Sequence, residues 1–459
     1  MVLLKSAFFT TALAATGGLP KNLKVDDRSS VQAVAATIAA ETMAYYPGTA
    51  TAFGDLPAPY YWWETGALFG AMLDYSHYTK DKTYTDMVTT ALLANVGPTF
   101  DYMVPAHFGD EGNDDLAFWG FAVLAAAERN YVQPSTKIPS WLQLGENIFN
   151  TLINRWNTTA CGGGVAWQIF ATNPNGMDYK NSVSNGGLFQ IAARLARATN
   201  NQTYADWANK VWDWSVAVNF VDKDLNVYDG ASSADNCTKT NYLAFSYTQG
   251  IYLYGAAVLA NYTEDKVWAD RAAGLLAAAQ HGYFSPFSNA TDVMWEHACE
   301  GVNTCTTDMK SFKGYLSRFM YASAQMQPAL KDKVVTLLHA SAAAAANACT
   351  GGTKGTTCGQ KWYVGGFDGS VGLGQQMCAL ETIQGLLFES AAPPLRAGQI
   401  KDLKVPEPEP TPTPSETHAP SPTASKKNAA VSTPAADLRW LGLSALVGVL
   451  MMGGFLVGL

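Results

Sequence analysis

The sequence predicts an all-α fold, an (α/α)6 toroid of six helical hairpins followed by a disordered stalk, and three observations support it. Between about residues 25 and 395, alanine-rich stretches with apolar residues at three- and four-residue spacing recur, and alternating β-branched runs are scarce. These stretches resemble one another, which indicates a repeated unit. Hydrophobic residues make up 48% of the 459 residues and charged residues 15%, so a large buried core is available to such a fold.

The clearest sign of repetition is a threonine followed five residues later by an aromatic residue and two residues after that by an aspartate. Each copy predicts a helix, a polar turn and a second helix that opens near the aspartate, where a negative charge suits a helix N-terminus. The three copies are Thr79, Tyr84 and Asp86; Thr199, Tyr204 and Asp206; and Thr263, Trp268 and Asp270.

Six glycines mark the first helix of each predicted hairpin, and they are spaced by 54 to 67 residues. Six hairpins of this length can close into a ring with an inner and an outer layer of helices. An open solenoid is the alternative, but its end repeats would expose large apolar faces, so we favour closure. The glycines are Gly66, Gly120, Gly187, Gly250, Gly314 and Gly374.

Polar or aromatic segments stand directly before several of these glycines: YYWWETG, NSVSNGG, SYTQG and SFKG. If the units are equivalent, the segments converge on one end of the barrel, where binding groups usually lie on a rigid scaffold. Each residue taken alone is equally well explained as a helix cap or a turn residue. The candidate binding residues are Trp63, Glu64, Asn185, Tyr247, Gln249 and Lys313.

The equivalent segment of the second unit, HFGDEGNDDLAFWG, holds four acids within six residues beside aromatic side chains. We expect Asn113 to cap the next helix and to place Asp114 and Asp115 in its first turn. Acids at this position also complement the helix dipole, so Asp114 and Asp115 can be interpreted either as residues that stabilise the helix start or as catalytic residues. Crowded carboxylates raise one another's pKa, and glycoside hydrolysis needs one ionised and one protonated carboxyl group. Asp114 and Asp115 are therefore the candidate catalytic residues, and adjacency favours retention of configuration.

The aromatic content of 12% suits a carbohydrate ligand, because flat rings stack on the apolar faces of sugars. Trp62, Trp63, Trp119 and Trp167 are candidates for such contacts, although most of the thirteen tryptophans must fill the core. Other chemistries find little support: the sequence has no G-x-S-x-G elbow, no H-E-x-x-H and no Walker spacing, so we expect no metal and no cofactor. A net charge of −8 without a basic block argues against a nucleic-acid partner.

The ends of the chain predict secretion and a lipid anchor. Residues 1–18 read as a signal peptide with a candidate cleavage point at Ala12 to Ala14. Residues 437–459 form the predicted hydrophobic tail. Its stretch from Trp440 to Leu459 is uncharged and has no lysine or arginine after it, which favours a signal for glycosylphosphatidylinositol (GPI) attachment over a tail-anchored helix. Asn428 is the first choice for the attachment site and Ser425 the second. Between domain and tail, residues 396–436 are rich in Pro, Ser and Thr and predict an extended stalk.

Sequons and cysteines agree with an oxidising, secretory compartment. Seven cysteines allow up to three disulfides, with Cys299–Cys305 and Cys349–Cys358 as local candidates and Cys378 as the expected buried thiol. The five predicted N-glycosylation sites are Asn157, Asn201, Asn236, Asn261 and Asn289.

The segments YYWWETGALFGAMLDY, GNDDLAFWGFAVLAAAE, NSVSNGGLFQIAARLARAT and YTQGIYLYGAAVL resemble fungal members of glycoside hydrolase family 76. The resemblance runs from about residue 26 to 390, and the two-Asp motif is its specific part. It implies an (α/α)6 barrel and a retaining endo-α-1,6-mannosidase, with Asp114 as nucleophile and Asp115 as acid/base. It further implies action on α-mannan or the mannose core of GPI glycans in cell-wall biogenesis, with β-glucan as an acceptor, at the outer face of the plasma membrane and the cell wall.

Two other functions stay open on the sequence alone. A carbohydrate-binding or structural wall protein on the same barrel would not need Asp114. A polysaccharide lyase or a glucan-directed hydrolase would keep the toroid and change the reaction; a lyase leaves an unsaturated sugar in its product.

Overall fold

Twelve α-helices form the framework of the part of the chain that the structure describes. The structure is a computed structural model that describes residues 18–48, 54–133, 135–173 and 176–401. The helices are α1 (Arg28–Met43), α2 (Trp62–Thr79), α3 (Thr85–Ala94), α4 (Asn113–Ala127), α5 (Trp141–Ile153), α6 (Ser182–Thr199), α7 (Gln202–Ala217), α8 (Ser246–Thr263), α9 (Lys266–Tyr283), α10 (Phe312–Met326), α11 (Lys331–Ala348) and α12 (Leu373–Gln384).

The six even-numbered helices form a closed inner ring. Each contacts the next even-numbered helix, and α12 returns to contact α2, while α3, α5, α7, α9 and α11 pack outside as second members of the hairpins. The sixth hairpin differs from the other five. Its inner helix, α12, packs against α1, which comes from the N-terminal end of the domain sequence. The predicted (α/α)6 toroid is therefore confirmed, and the sixth unit is completed by the N-terminal helix.

All six repeat glycines lie in inner helices; five of them face a neighbouring inner helix, and Gly374 faces the backbone directly before α10. A Cβ on Gly66 would lie 2.8 Å from the indole of Trp119, and one on Gly314 would lie 3.1 Å from the Cα of Cys378. Because inner helices are surrounded by protein on all sides, several of them are buried along almost their whole length. The regular glycine spacing is thus explained by close helix packing in the ring.

The threonine of each repeated motif ends an inner helix. The three hydroxyl groups donate to the carbonyl group four residues earlier, at 2.6 to 2.8 Å. The next residue adopts a left-handed conformation that turns the chain toward the outer helix. The threonines are Thr79, Thr199 and Thr263, and the left-handed residues are Lys80, Asn200 and Glu264.

A small antiparallel sheet precedes two of the inner helices. Its strands are β1 (Tyr179–Asn181), β2 (Gly230–Ser232) and β3 (Thr240–Asn241), in the order β1-β2-β3. Lys180 pairs with Ala231, and Ala231 pairs with Thr240. Strands of two or three residues leave no alternating pattern in a sequence, so the sheet was not predicted.

Three disulfides are present. The two predicted local bridges, Cys299–Cys305 and Cys349–Cys358, are confirmed, and Cys378 is the predicted buried free thiol. The third bridge joins Cys161 to Cys237, 76 residues apart, and ties the loop before β1 to the segment between β2 and β3. Three bridges agree with an oxidising compartment.

The five sequon asparagines are exposed in the structure, and their glycosylation stays a prediction. The stalk from residue 402, the attachment site at Asn428 or Ser425, the apolar tail and the signal peptide except its last residue lie outside the described residues. Within the described ranges, no helix combines the length and the hydropathy that crossing a bilayer requires.

Candidate active site

A cavity of about 540 Å³ opens where the inner helices begin. Five inner helices contribute to its lining, through their first turns or the residues just before them: α2, α4, α6, α8 and α10. Its volume lies within the usual range for ligand pockets. The prediction that the segments before the glycines converge on one end of the barrel is therefore correct for these helices.

Asp114 and Asp115 lie in the first turn of α4 and line the cavity. The cap of this helix is Gly112, one residue earlier than predicted, and Asn113 is already the first helical residue. The Asp115 Oδ2 accepts a hydrogen bond from the Gly112 backbone N–H at 2.5 Å, which closes the first turn. The expectation that Asn113 caps the helix is thus wrong, although the pair stands in the first turn as predicted.

Asn113 instead fixes the start of α4 to the loop that carries Trp167. Its backbone N–H donates to the Trp167 carbonyl at 2.9 Å, and its Nδ2 donates to the Ala166 carbonyl at 2.9 Å. Its Oδ1 accepts from the Nη1 of Arg155 at 2.9 Å. The first two bonds join the first turn of α4, which carries the aspartate pair, to the backbone of the loop that carries Trp167.

The two carboxyl groups of the pair have different surroundings. Burial raises the pKa of Asp114, while backbone amides at the start of α4 and the nearby Trp167 side chain oppose this rise by stabilising the ionised form. Burial also raises the pKa of Asp115 well above its usual range, and the negative charge of Asp114 raises it further. The Asp114 Oδ1 is buried without a hydrogen bond of good geometry. The arrangement favours an ionised Asp114 beside a protonated Asp115.

Three further aspartates line the cavity, namely Asp110, Asp229 and Asp308. Asp308 accepts a hydrogen bond from the Trp63 indole at 3.3 Å, and burial raises its pKa. Asp229 accepts from the Tyr179 hydroxyl at 2.7 Å, and burial raises its pKa as well.

Sequence reasoning missed Asp229 and Asp308. Asp308 stands three residues before the SFKG segment, so a wider window before each glycine could have found it. Asp229 lies between α7 and α8 beside a sheet with no sequence pattern, and it offered no such signal.

Three of the predicted binding residues line the cavity: Trp63, Trp167 and Tyr247. Trp63 packs 4.6 Å from the ring of Phe118, and Tyr247 stacks on Phe312 with 3.9 Å between ring centroids. Trp62 also lines the cavity. These rings form aromatic walls around the aspartates, and their contact with a ligand stays a prediction.

Glu64 and Trp119 were predicted to contact a ligand, and the structure places both in the core. Glu64 is fully buried, and its Oε2 accepts from the Tyr61 backbone N–H at 2.9 Å, so it closes the first turn of α2. Burial raises the pKa of Glu64 to about 8. Trp119 is fully buried between Trp62, at 5.1 Å, and Tyr102, at 5.0 Å. Neither side chain lines the cavity.

Asn185, Gln249 and Lys313 are likewise buried and do not line the cavity. Asn185 bonds the backbone of Val165 in both directions, and Gln249 bonds backbone groups in the loop before β2 and in α9. Lys313 pairs with Glu300 at 2.7 Å. These three side chains satisfy buried polar groups away from the cavity lining, and nothing in the structure supports the predicted ligand contact for them.

Among the described residues, no group of three or more His, Cys, Asp or Glu side chains is arranged to hold a metal ion.

The model of glycosyl hydrolase family 76 matches residues 30–398 of the chain. The mannan endo-1,6-alpha-mannosidase DCW1 of Saccharomyces cerevisiae is 45% identical over 365 residues, which cover 79% of this chain and 80% of that protein. The crystal structure of Dfg5 from Chaetomium thermophilum in complex with glucosamine is 39% identical and superposes with a TM-score of 0.78, covering 82% of this chain and 94% of that one. The alpha-1,6-mannanase of Salegentibacter has the same fold at 19% identity, with a TM-score of 0.61 over 78% of this chain and 98% of its own. The chain belongs to glycosyl hydrolase family 76.

Proposed function

We propose that this protein is a retaining endo-α-1,6-mannosidase that also transfers the cleaved glycan to a sugar hydroxyl, with Asp114 as nucleophile and Asp115 as acid/base. The observation that carries the proposal is the buried aspartate pair at the cavity, whose two members have unequal surroundings. The substrate class follows from the fungal relatives named as mannan endo-1,6-alpha-mannosidases, at 45% identity for the yeast protein.

In the first step, the Asp114 carboxylate attacks the anomeric carbon while Asp115 gives its proton to the glycosidic oxygen. The bond to the leaving chain breaks, leaving a glycosyl ester on Asp114 and a free hydroxyl on the departing glycan. Asp115, now ionised, then takes a proton from water or from a sugar hydroxyl, whose oxygen attacks the same carbon and releases Asp114. Attack by a sugar hydroxyl completes a transfer instead of a hydrolysis.

The cavity suits neutral sugars. Among the described residues, its lining combines five aspartates with aromatic side chains and includes no lysine or arginine. Carboxylates accept hydrogen bonds from sugar hydroxyls, and aromatic rings stack on pyranose faces. An acidic sugar would be repelled by the ionised carboxylates of this lining, which argues against a polysaccharide lyase acting on uronic acids.

We further propose that the protein acts at the outer face of the plasma membrane and in the cell wall, held by a GPI anchor at Asn428. The three disulfides and the exposed sequons support secretion. The small residues and the apolar tail after the stalk support the anchor. In this setting, wall β-glucan would be the acceptor of the transferred glycan.

The proposal is tested with protein that ends at Lys401 and an α-1,6-linked mannooligosaccharide as donor. NMR follows the anomeric configuration of the first product, with and without an acceptor glycan. We expect α-configured products, and adducts when the acceptor is present. Products of β configuration, or an unsaturated sugar, would rule out the mechanism.

Asp114→Asn is expected to abolish turnover while binding persists. Asp308→Asn serves as the matched control, since it also removes a carboxylate from the cavity wall. It should weaken binding while the chemical step survives. Equal losses of turnover in the two variants would mean that Asp114 has no catalytic role beyond that of the other carboxylates in the cavity. Binding without turnover by the unmodified protein would indicate the carbohydrate-binding function instead.

A further inference from the structure

We propose that Phe108 and Phe170, on the rim of the cavity, form an outer sugar subsite. It would bind a neutral hexopyranose unit of a glycan chain too long for the cavity alone. The inference rests on the proposed function and adds to it a preference for chain length.

The two rings are stacked, with 4.7 Å between centroids and 28° between planes. Phe108 is 36% exposed, while Phe170 is half-buried against the core. Phe108 precedes Asp110 by two residues and Phe170 follows Gln168 by two, and both Asp110 and Gln168 line the cavity. The pair therefore stands next to the cavity wall with part of its surface open to solvent.

The rim segment that carries Phe108 is held in place by packing beneath it. The imidazole of His107 stacks on Trp62 at 4.8 Å and lies within 3.5 Å of Asp55 and 3.6 Å of Asp110. The backbone N–H of Asp110 donates to the His107 carbonyl at 3.0 Å. A rim fixed in this way loses little conformational freedom when a ligand binds.

The segment that carries Phe170 is tied to the same rim. An antiparallel bridge joins Gln168 to Gly112, the cap of the helix that bears the catalytic pair. The backbone N–H of Asn173 donates to the Phe170 carbonyl at 2.9 Å. The ring pair and the aspartate pair are thus parts of one connected framework.

The chemistry of the rim matches a neutral sugar. A pyranose offers an apolar face to an aromatic ring and hydroxyl groups at its edge. The Asp110 side chain is 65% exposed, and a carboxylate there is able to accept hydrogen bonds from such hydroxyls. A cavity of about 540 Å³ encloses only a short stretch of glycan, so a longer chain has to leave across the rim. The chain that crosses Phe108 belongs either to the donor or to the acceptor, and both present the same chemistry.

The test measures kcat/KM of the purified protein on α-1,6-mannooligosaccharides of increasing length, for the unmodified protein and for Phe108→Ala. We expect Phe108→Ala to lower kcat/KM on a long donor by about fivefold to tenfold, the size of one aromatic stacking contact, and to leave mannotriose unaffected. Phe108→Tyr keeps a ring and should restore the length preference. Phe287→Ala is the control, because Phe287 is 51% exposed, packs on Trp295 and Tyr363, and does not line the cavity.

A second arm varies the acceptor, with β-1,3-glucooligosaccharides of increasing length and a short donor. If Phe108→Ala lowers kcat/KM only with long donors, the donor chain lies on the rim. If it lowers kcat/KM only with long acceptors, the acceptor lies there. Equal losses on short and long chains, or no loss on either, would overturn the proposal.

Failure of the proposed function would remain distinguishable from failure of the subsite. Calorimetry with mannooligosaccharides on the Asp114→Asn protein measures affinity without turnover. If affinity still rises with chain length and Phe108→Ala removes that rise, the subsite stands whatever the reaction is. If affinity does not depend on length for either mannooligosaccharides or β-1,3-glucooligosaccharides, the subsite is disproved.

Discussion

The buried carboxyl group of Glu64 should make the free energy of unfolding fall as pH rises, and Glu64→Gln should reduce this fall. Burial raises the pKa of Glu64 to about 8, the bond from the Tyr61 backbone N–H opposes the rise, and the charge of Asp308 adds to it. In the unfolded chain the pKa of this group is about 4.3. Between these two values the folded protein holds a proton that the unfolded chain has lost, so raising the pH favours unfolding.

The magnitude follows from the difference between the two pKa values. The folded and unfolded pKa values of Glu64 differ by between three and four units. At about 1.4 kcal/mol per unit, the unfolding free energy falls by at most roughly 5 kcal/mol. Relaxation and water entry around a buried charge reduce such figures, so we expect about 2 kcal/mol across the interval from pH 4.5 to pH 8. Stability should be highest at the acidic end and level off above pH 8.

Urea unfolding at several pH values between 4.5 and 8.5 measures this effect. The Oε1 of Glu64 is buried without a hydrogen-bond partner. In Glu64→Gln an amide occupies this position, which lowers the unfolding free energy by an amount that does not depend on pH. The informative quantity is therefore the difference in slope between variant and unmodified protein. Glu389→Gln is the control, since it changes a carboxylate that is half exposed and pairs with Lys331 at the surface. Parallel stability curves for Glu64→Gln and the unmodified protein would refute the argument.

The remaining predictions concern catalysis, packing and the free thiol. Asp115→Asn should lower kcat on mannooligosaccharides by at least a hundredfold with an unchanged circular dichroism spectrum; near-normal kcat would remove Asp115 from the mechanism. Gly66→Ala should destabilise the fold by about 2 kcal/mol in chemical denaturation, because its Cβ would meet the indole of Trp119 at 2.8 Å. Gly366→Ala, where nothing lies within 4 Å, should have little effect, and similar values for both would contradict the packing argument. The Cys378 thiol, whose pKa burial raises to about 12, should react with a thiol reagent only after denaturant is added; rapid labelling of native protein would show otherwise.

Much of the fold and part of the site were predictable from patterns between residues close together in the sequence. Apolar spacing and the repeated threonine motif identify helices and hairpins, because both arise from contacts within a few residues along the chain. The first-turn position of Asp114 and Asp115 is equally local. The short loops of Cys299–Cys305 and Cys349–Cys358 bring their cysteines together without help from the rest of the fold.

Side-chain direction was not predictable in the same way. Glu64 and Trp63 are adjacent in the sequence, yet Trp63 lines the cavity while Glu64 turns back to the Tyr61 backbone. Lys313 belongs to a segment aimed at the cavity, but the buried Glu300, brought by a separate loop, draws its ammonium group away. Which side of a helix faces the cavity depends on where its neighbours sit, and one segment does not reveal this.

The sequence by itself determined the helical repeat and the aspartate pair, since each follows from spacing along the chain, and it favoured a closed ring over an open solenoid. Only the tertiary structure decided that α1 completes the ring beside α12, that Cys161 joins Cys237, and that Asp229 and Asp308 share the cavity with the pair. These contacts join segments far apart in the sequence, and packing selects them from many alternatives of similar local energy.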